Sequence, residues 1–287
     1  MEKLDKECFQ ILWDIQKEQP WIANTRESEA VLALLFDECP DGESQKLIIE
    51  LLNRFKYLSN EDFKDMLHAI TEDIVTDPEL EDFNTQLVAM ATDRKSDSSQ
   101  LVLYALKSIL EDYGWREHLT VNRFGLVWDT YKHSRDHKNV VLLDEFIGSG
   151  DTVINHIDHI ENIFKEKGVT DFSIQVKVIV ATKHGYDRVI DRGVKINAQV
   201  QLSKGITDFY SGMIRESMKN MMLKLESLLL PAYKEKPMPS FGKGAAEALY
   251  AREEGNTPNN VFPIFWWPYY KDHSHRNTLL TRAMSDA

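Results

Sequence analysis

The chain has 287 residues, of which 46 are acidic and 34 basic, for a formal net charge of −12. That balance excludes a broad grip on a nucleic-acid backbone, which needs clustered Lys and Arg, and leaves room only for a local basic groove. With 43% apolar and 28% charged residues, no low-complexity tract and no fixed-period repeat, the composition is that of a folded protein with a sizeable core, not a disordered chain or a solenoid.

The first ten residues, MEKLDKECFQ, are charged, with no apolar segment behind them. No run approaches the ~20 apolar residues that span a bilayer. Cys8 and Cys39 lie far apart without metal-ligand spacing, so the expectation is a cytoplasmic protein with free thiols. Residues 1–80 are expected to be helical throughout. Phe9, Leu12, Trp13 and Ile15 fall on one face, as do Val31, Leu32, Leu34, Leu35 and Phe36, and then Leu47, Ile48, Leu51, Leu52 and Phe55. This helical cap packs on the following core or offers a surface to a protein partner or a homo-oligomer.

At Asp77-Pro78 the pattern changes. Thr85–Ala91 is expected to be a buried strand, Thr92–Ser99 a polar turn, and the segment carrying Leu101, Leu103, Tyr104, Leu106 and Ile109 a helix that ends before Gly114. Phe124–Trp128 is read as a strand and Thr130–Lys138 as a mobile basic loop. Asn139–Thr152, NVVLLDEFIGSGDT, then joins an apolar run to two adjacent acids and a small-residue loop. A helix marked by Val153, Ile157 and Ile160 follows and stops near Gly168. Phe172–Ala181 is a further strand, Thr182–Gly185 its exit loop, Val189-Ile190 part of a short helix, and Val194–Leu202 another strand. Alternating strands and helices imply an open parallel α/β sheet over residues 81–210.

The remainder, 211–287, forms a C-terminal helical and aromatic extension. A helix is expected from Ile206 to Tyr233, with a stripe of Met213, Met218, Met221 and Met222, and another over Ala245–Ala251. The stripe serves as core packing or as a binding groove. Trp266-Trp267 either stack a nucleobase or are buried. His156 and His159 share a helix face, and His273 and His275 lie close in sequence; both pairs are weak metal-ligand candidates.

The chemistry concentrates in the acid pair and its loop. Asp144 and Glu145 can accept from ribose hydroxyls or hold a hydrated Mg²⁺. Gly148, Ser149, Gly150, Asp151 and Thr152 can present backbone amides and hydroxyls to a phosphate at a helix N-terminus. An equally open reading is a plain turn in which Asp151 or Thr152 caps the helix.

LLDEFIGSGDT resembles the phosphoribosyl-pyrophosphate (PRPP) motif of the type I phosphoribosyltransferases: a hydrophobic strand, two acids, two residues, then a small-residue phosphate loop. The resemblance implies an open parallel sheet of that kind. It also implies transfer of a phosphoribosyl group with release of pyrophosphate, Mg²⁺ held at Asp144 and Glu145, and PRPP or a nucleotide as ligand. Asp93, Arg94 and Lys95 fall where the family has its pyrophosphate loop, Thr130–Lys138 where it has a closing loop, and Lys183 where purine-salvage relatives recognise the base. The sequence departs from the pattern in Glu145, in Gly148 and in the extra charge of Asp151. The helical cap and aromatic extension look more like the phosphoribosyltransferase-like proteins of bacterial conflict and defence systems. The alternative is a catalytically inactive module that senses PRPP or a nucleotide, or binds a partner.

Overall fold

The computed structural model describes residues 6–92, 97–134 and 136–285. The chain divides into two units, Met1–Asn60 with Ser203–Ala287, and Glu61–Leu202.

The first unit opens with three amphipathic helices, α1 (Lys6–Glu18), α2 (Thr25–Ala33) and α3 (Gly42–Asn53). In α3 the i, i+4 spacing gathers Leu47, Ile48, Leu51 and Leu52 on the buried face. Its start is fixed by a reciprocal cap: Asp41 accepts from the Ser44 amide at 2.8 Å, and the Ser44 hydroxyl accepts from the Asp41 amide at 3.3 Å. Between α2 and α3 a π-turn over Leu34–Glu38 leaves Glu38 buried. The expectation of unbroken helix fails at β1 (Lys56–Leu58), which pairs in parallel with Tyr250–Arg252. Three residues are too few to show a period of two, and the partner strand lies near the other end of the chain.

The second unit begins with α4 (Asn60–Val75) and continues through β2 (Thr85–Ala89), α5 (Ser98–Asp112), β3 (Leu119–Val121), α6 (Val127–His133), β4 (Asn139–Ile147), α7 (Asp151–Glu166), β5 (Ser173–Thr182), α8 (Lys183–Asp191) and β6 (Lys195–Leu202). The five strands form one all-parallel sheet in the order β3-β2-β4-β5-β6. The wholly apolar runs of β4 and β5 are what a sheet covered on both faces demands. Val140 and Leu142 of β4 pack with Val153, Ile157, Ile160 and Phe164 of α7, while the alternate residues Val141 and Leu143 are buried on the other face. That face carries polar residues as well: Lys177 of β5, 3% exposed, donates to the Asp73 carbonyl and pairs with Asp77 at 3.4 Å.

The segment before β4 corrects the sequence expectation. Phe124–Leu126 is a 3-10 turn running into α6, not a strand, and the first part of Thr130–Lys138 belongs to α6. The strand of this region is the three-residue β3, held by its pairing with β2.

The C-terminal part of the first unit also departs from expectation. The long helix is α9 (Gly212–Glu226), shorter at both ends. Gly212 has φ +54 at its start, and at its end the buried Glu226 accepts from Ser240 and from the Phe241 amide. A short hairpin, β7 (Ala232–Tyr233) with β8 (Lys236–Pro237), follows. Ala245–Ala251 is not a helix: Ala245 and Glu247 have positive φ, and Tyr250–Arg252 form β9, the partner of β1. Trp266 and Trp267 are each 1% exposed, so they are core residues of this unit, not a stacking platform. In the Met stripe, Met222 is buried and Met213 is 90% exposed.

Candidate functional site

The crossover from β2 through α5 leads outward to β3, whereas the crossover from β4 through α7 leads the other way to β5. The strand order therefore reverses between β2 and β4, and in open α/β sheets ligands bind outside the carboxyl ends of the strands at such a point. β2 ends at Ala89 beside Leu143, while β4 runs on to Ile147. Asp144 and Glu145 thus lie just past the end of β2 rather than at the end of their own strand.

Being adjacent on a continuing strand, the two carboxylates face opposite sides of the sheet. Asp144 alternates with Val140 and Leu142, is partly buried, and accepts from the Ser98 hydroxyl at 3.2 Å and the Glu145 amide at 2.7 Å. Burial, and then the neighbouring charge of Asp97, push its carboxyl up to about 7. Asp97 also caps α5, its carboxylate accepting from the Ser99 amide at 2.9 Å. Glu145 is 4% exposed. The pair read together in the sequence is therefore split, with Asp144 bonded to Ser98 and lying within the field of Asp97 at the crevice.

The loop after β4 is docked on the start of α8. The Thr182 hydroxyl donates to the Gly148 carbonyl at 2.6 Å and accepts from the Gly185 amide at 3.0 Å. Thr182 thereby caps α8, which begins at once, so the expected exit loop does not exist. Gly185 lies so close to the Gly148 carbonyl that any side chain there would overlap it. Gly150, with φ +82, is the residue preceding α7 and offers no side-chain cap. The Asp151 amide donates to the Ser149 hydroxyl at 3.5 Å, and the residue preceding the helix supplies no side-chain acceptor for the amides that follow. Asp151 does not cap the helix either. It is the first helical residue, and its carboxylate takes the Arg188 guanidinium at 2.5 Å and the Ser149 hydroxyl at 2.7 Å. Arg188 also donates to the Ser149 carbonyl at 2.7 Å. The charge that Asp151 brings to the loop is balanced by a residue of α8, and Thr152 stands exposed beside it.

Lys183 is the exposed first residue of α8. Since Ala181 lies beside Ile147 in the sheet, Lys183 stands at the same carboxyl edge as the loop. Asp93, Arg94 and Lys95 lie outside the described residues. Ser98, Asp97, Thr182, Gly185 and Arg188 were not singled out in the sequence. Thr182 with Gly185 and Asp97 with Ser99 carry a local signal, a cap spacing; Ser98 and Arg188 acquire their place by tertiary contact.

The histidines resolve differently. His156 is 4% exposed, stacks on Phe124 at 3.7 Å between centroids, and is pushed down to about 4 by burial and by His159. His275 lies against Tyr269 at 4.8 Å. Among the described residues no group of three or more His, Cys, Asp or Glu could by itself hold a metal ion, and no helix is long and apolar enough to cross a membrane.

Solved structures that match part of the chain include orotate phosphoribosyltransferase from Aeropyrum pernix, 14% identical with a TM-score of 0.32 over 50% of this chain and 72% of that one. Hypoxanthine-guanine phosphoribosyltransferase from Schistosoma mansoni in complex with IMP is 15% identical, with a TM-score of 0.33 over 51% and 65%. A hypothetical protein from Neisseria gonorrhoeae with bound ppGpp is 13% identical, with a TM-score of 0.33 over 58% and 96%. No curated protein matches the chain. Likeness at these scores decides nothing by itself, and the assignment rests on the family model, which runs through both units from residue 19 to residue 282. With the five-stranded parallel sheet and the acid-loop-helix segment in place, the chain belongs to the PRTase-CE family.

Proposed function

We propose that the chain binds a phosphoribosyl ligand, PRPP or a nucleotide, outside the carboxyl ends of β2 and β4, and transfers the phosphoribosyl group with release of pyrophosphate. One observation carries this reading: Asp144 at the strand-order reversal and the α7 N-terminus without a side-chain cap stand on one continuous segment. Ribose hydroxyls would donate to Asp144. The 5′-phosphate would accept from the first amides of α7 and from the Thr152 hydroxyl, and from Ser149 once its hydroxyl turns from Asp151 to the ligand. Glu145, on the opposite face, would support the strand from below. The Arg188–Asp151 pair favours the same reading, because it balances a carboxylate that would otherwise repel the phosphate.

Mg²⁺ fits this arrangement as an ion carried in by the diphosphate, not as a resident of a protein cage. It commonly takes one or two carboxylates, keeps waters and completes its shell from phosphate oxygens. Asp97 and Asp144 already lie near enough to raise the Asp144 carboxyl, and a divalent cation suits that repulsion. Asp144, backed by Glu145, would hold it, and it would supply charge neutralisation to the departing diphosphate. The bond from C1 to the diphosphate oxygen breaks as the acceptor forms its bond to C1. Arg94 and Lys95, which the resemblance assigns to the pyrophosphate loop, would meet the leaving charge, and Lys183 the acceptor.

The test is pyrophosphate release from PRPP and Mg²⁺ over a panel of nucleobases and nucleosides, with calorimetric binding recorded in parallel. The wild type is expected to bind PRPP and release pyrophosphate with at least one acceptor. Asp144→Ala, alone and with Glu145→Ala, is expected to lose PRPP binding while the circular dichroism spectrum is kept. Absence of binding in the wild type, or undiminished binding in the variants, sinks the proposal; binding without turnover with any acceptor replaces transfer with sensing.

A further inference from the structure

A separate cavity of about 290 Å³ lies wholly within the first unit, near the small end of the ~300–1,000 Å³ common for ligand sites. Its wall includes Trp21 and Tyr57, whose rings are stacked at 4.7 Å and 3° from parallel. The Trp21 indole is fixed by its hydrogen bond to the Gln19 side chain at 2.7 Å, and Tyr57 belongs to β1. The aromatic wall is therefore held on one side by the β1–β9 pairing, through Tyr57, and on the other by the 3-10 turn Pro20–Ala23, which carries Trp21.

The charge of the cavity has a sign. Glu27, Glu253 and Glu254 line it, against Arg26 and Arg252. Arg26 is engaged within the lining, donating to the Thr281 hydroxyl at 2.8 Å and pairing with Glu27 at 3.3 Å, so that this carboxylate and this guanidinium offset each other. The pKa of the Tyr57 hydroxyl is raised first by burial and then by the charges of Glu253, Glu27 and Glu254. Glu254 itself has φ +55, a left-handed conformation rare outside glycine. It stands in a tight turn closed by the Gly255 amide on the Arg252 carbonyl at 3.0 Å.

From the stacked aromatic wall, the half-open cavity and the excess of one carboxylate over the guanidinium groups around it, we infer that this cavity binds a small organic cation carrying an ammonium or guanidinium group. Aromatic faces attract such cations, and desolvated sites strengthen the attraction. Outside the Arg26–Glu27 pair, an anionic ligand would meet the two carboxylates of Glu253 and Glu254 against the guanidinium of Arg252. The inference is independent of the sugar-phosphate reading, since no residue is shared with that site.

Titration of the full chain with tetramethylammonium and with agmatine, by calorimetry and by the fluorescence difference between wild type and Trp21→Phe, tests it. The neutral isostere 3,3-dimethylbutan-1-ol serves as control. Saturable binding of at least one cation is expected, weakened about tenfold by Tyr57→Leu and weakened in Glu254→Gln, with Asp144→Ala leaving it unchanged. Glu254 is exposed, so its variant keeps the test valid should the Tyr57 variant fail to fold. No saturable binding, equal binding of the neutral isostere, or full binding in Glu254→Gln overturns the inference.

Discussion

Asp144 shows how position alone changes the chemistry of a residue. Its carboxyl is pushed up to about 7, first by burial and then by Asp97, whereas an unfolded aspartate titrates near 4. The folded state therefore holds the extra proton over that interval. Its stabilising effect is full below the unfolded pKa and is lost as pH rises from about 4 through about 7. Asp144→Asn keeps an oxygen for Ser98 and the Glu145 amide but carries no charge. We expect it to match the wild type near pH 4 and to exceed it by about 1–3 kcal/mol at pH 8, read from urea unfolding at both values. A variant no more stable than wild type at pH 8 would show that the carboxylate is already accommodated. The same residue was legible as functional from its place in LLDEFIGSGDT; its separation from Glu145 was not, because the sequence does not say where β4 stops.

At the scale of elements, the loop between β4 and α7 is shaped by α8. Thr182 and Arg188 hold the Gly148 and Ser149 carbonyls, and Gly185 makes room for the approach. Gly185→Ala would force backbone against backbone, where no flexible side chain can yield. We expect a loss of stability of about 2–4 kcal/mol and a weakening of any phosphate ligand. Thermal unfolding with and without PRPP measures both, and an unchanged Tm would show that the loop is not docked as described. The sequence marked Gly148 and Gly150 as small residues for a ligand. It gave no sign that Gly185 is small for the loop, since the two segments meet only once β4 and β5 are paired. The Phe124–Trp128 error has the same origin: a short apolar run fits a strand or a turn of helix equally well, and packing on His156 decides.

Across the whole molecule, the first unit is assembled from both ends of the chain. The parallel pairing of β1 with β9 is one tie and the Glu38–Arg276 pair is another. Arg276 meets the two carboxylate oxygens at 3.1 and 2.7 Å and also donates to the Trp267 and Ile264 carbonyls; Tyr270 donates to Glu38 at 2.9 Å. Both side chains are almost fully buried. Removing one partner leaves an uncompensated charge inside, which costs about 3–5 kcal/mol. Arg276→Ala is expected to lower the urea midpoint accordingly, followed by tryptophan fluorescence, since Trp13, Trp21, Trp266 and Trp267 all report on this unit. A midpoint equal to wild type would mean that Glu38 finds water or takes up a proton at little cost.

The parallel α/β region and its acid-loop-helix segment were determined by the sequence itself, because hydrophobic periodicity and the LLDEFIGSGDT spacing are local properties of consecutive residues. Tertiary structure alone decided which distant segments meet: β1 with β9, Asp151 with Arg188, Asp144 with Asp97 and Ser98. Such partners are brought together by backbone pairing, by burial and by charge pairing, in the case of Asp144 and Asp97 against their mutual repulsion, between residues whose separation along the chain carries no periodic signal. The aromatic tail belongs with them, since Trp266 and Trp267 could serve as a platform or a core until the chain folds them inside.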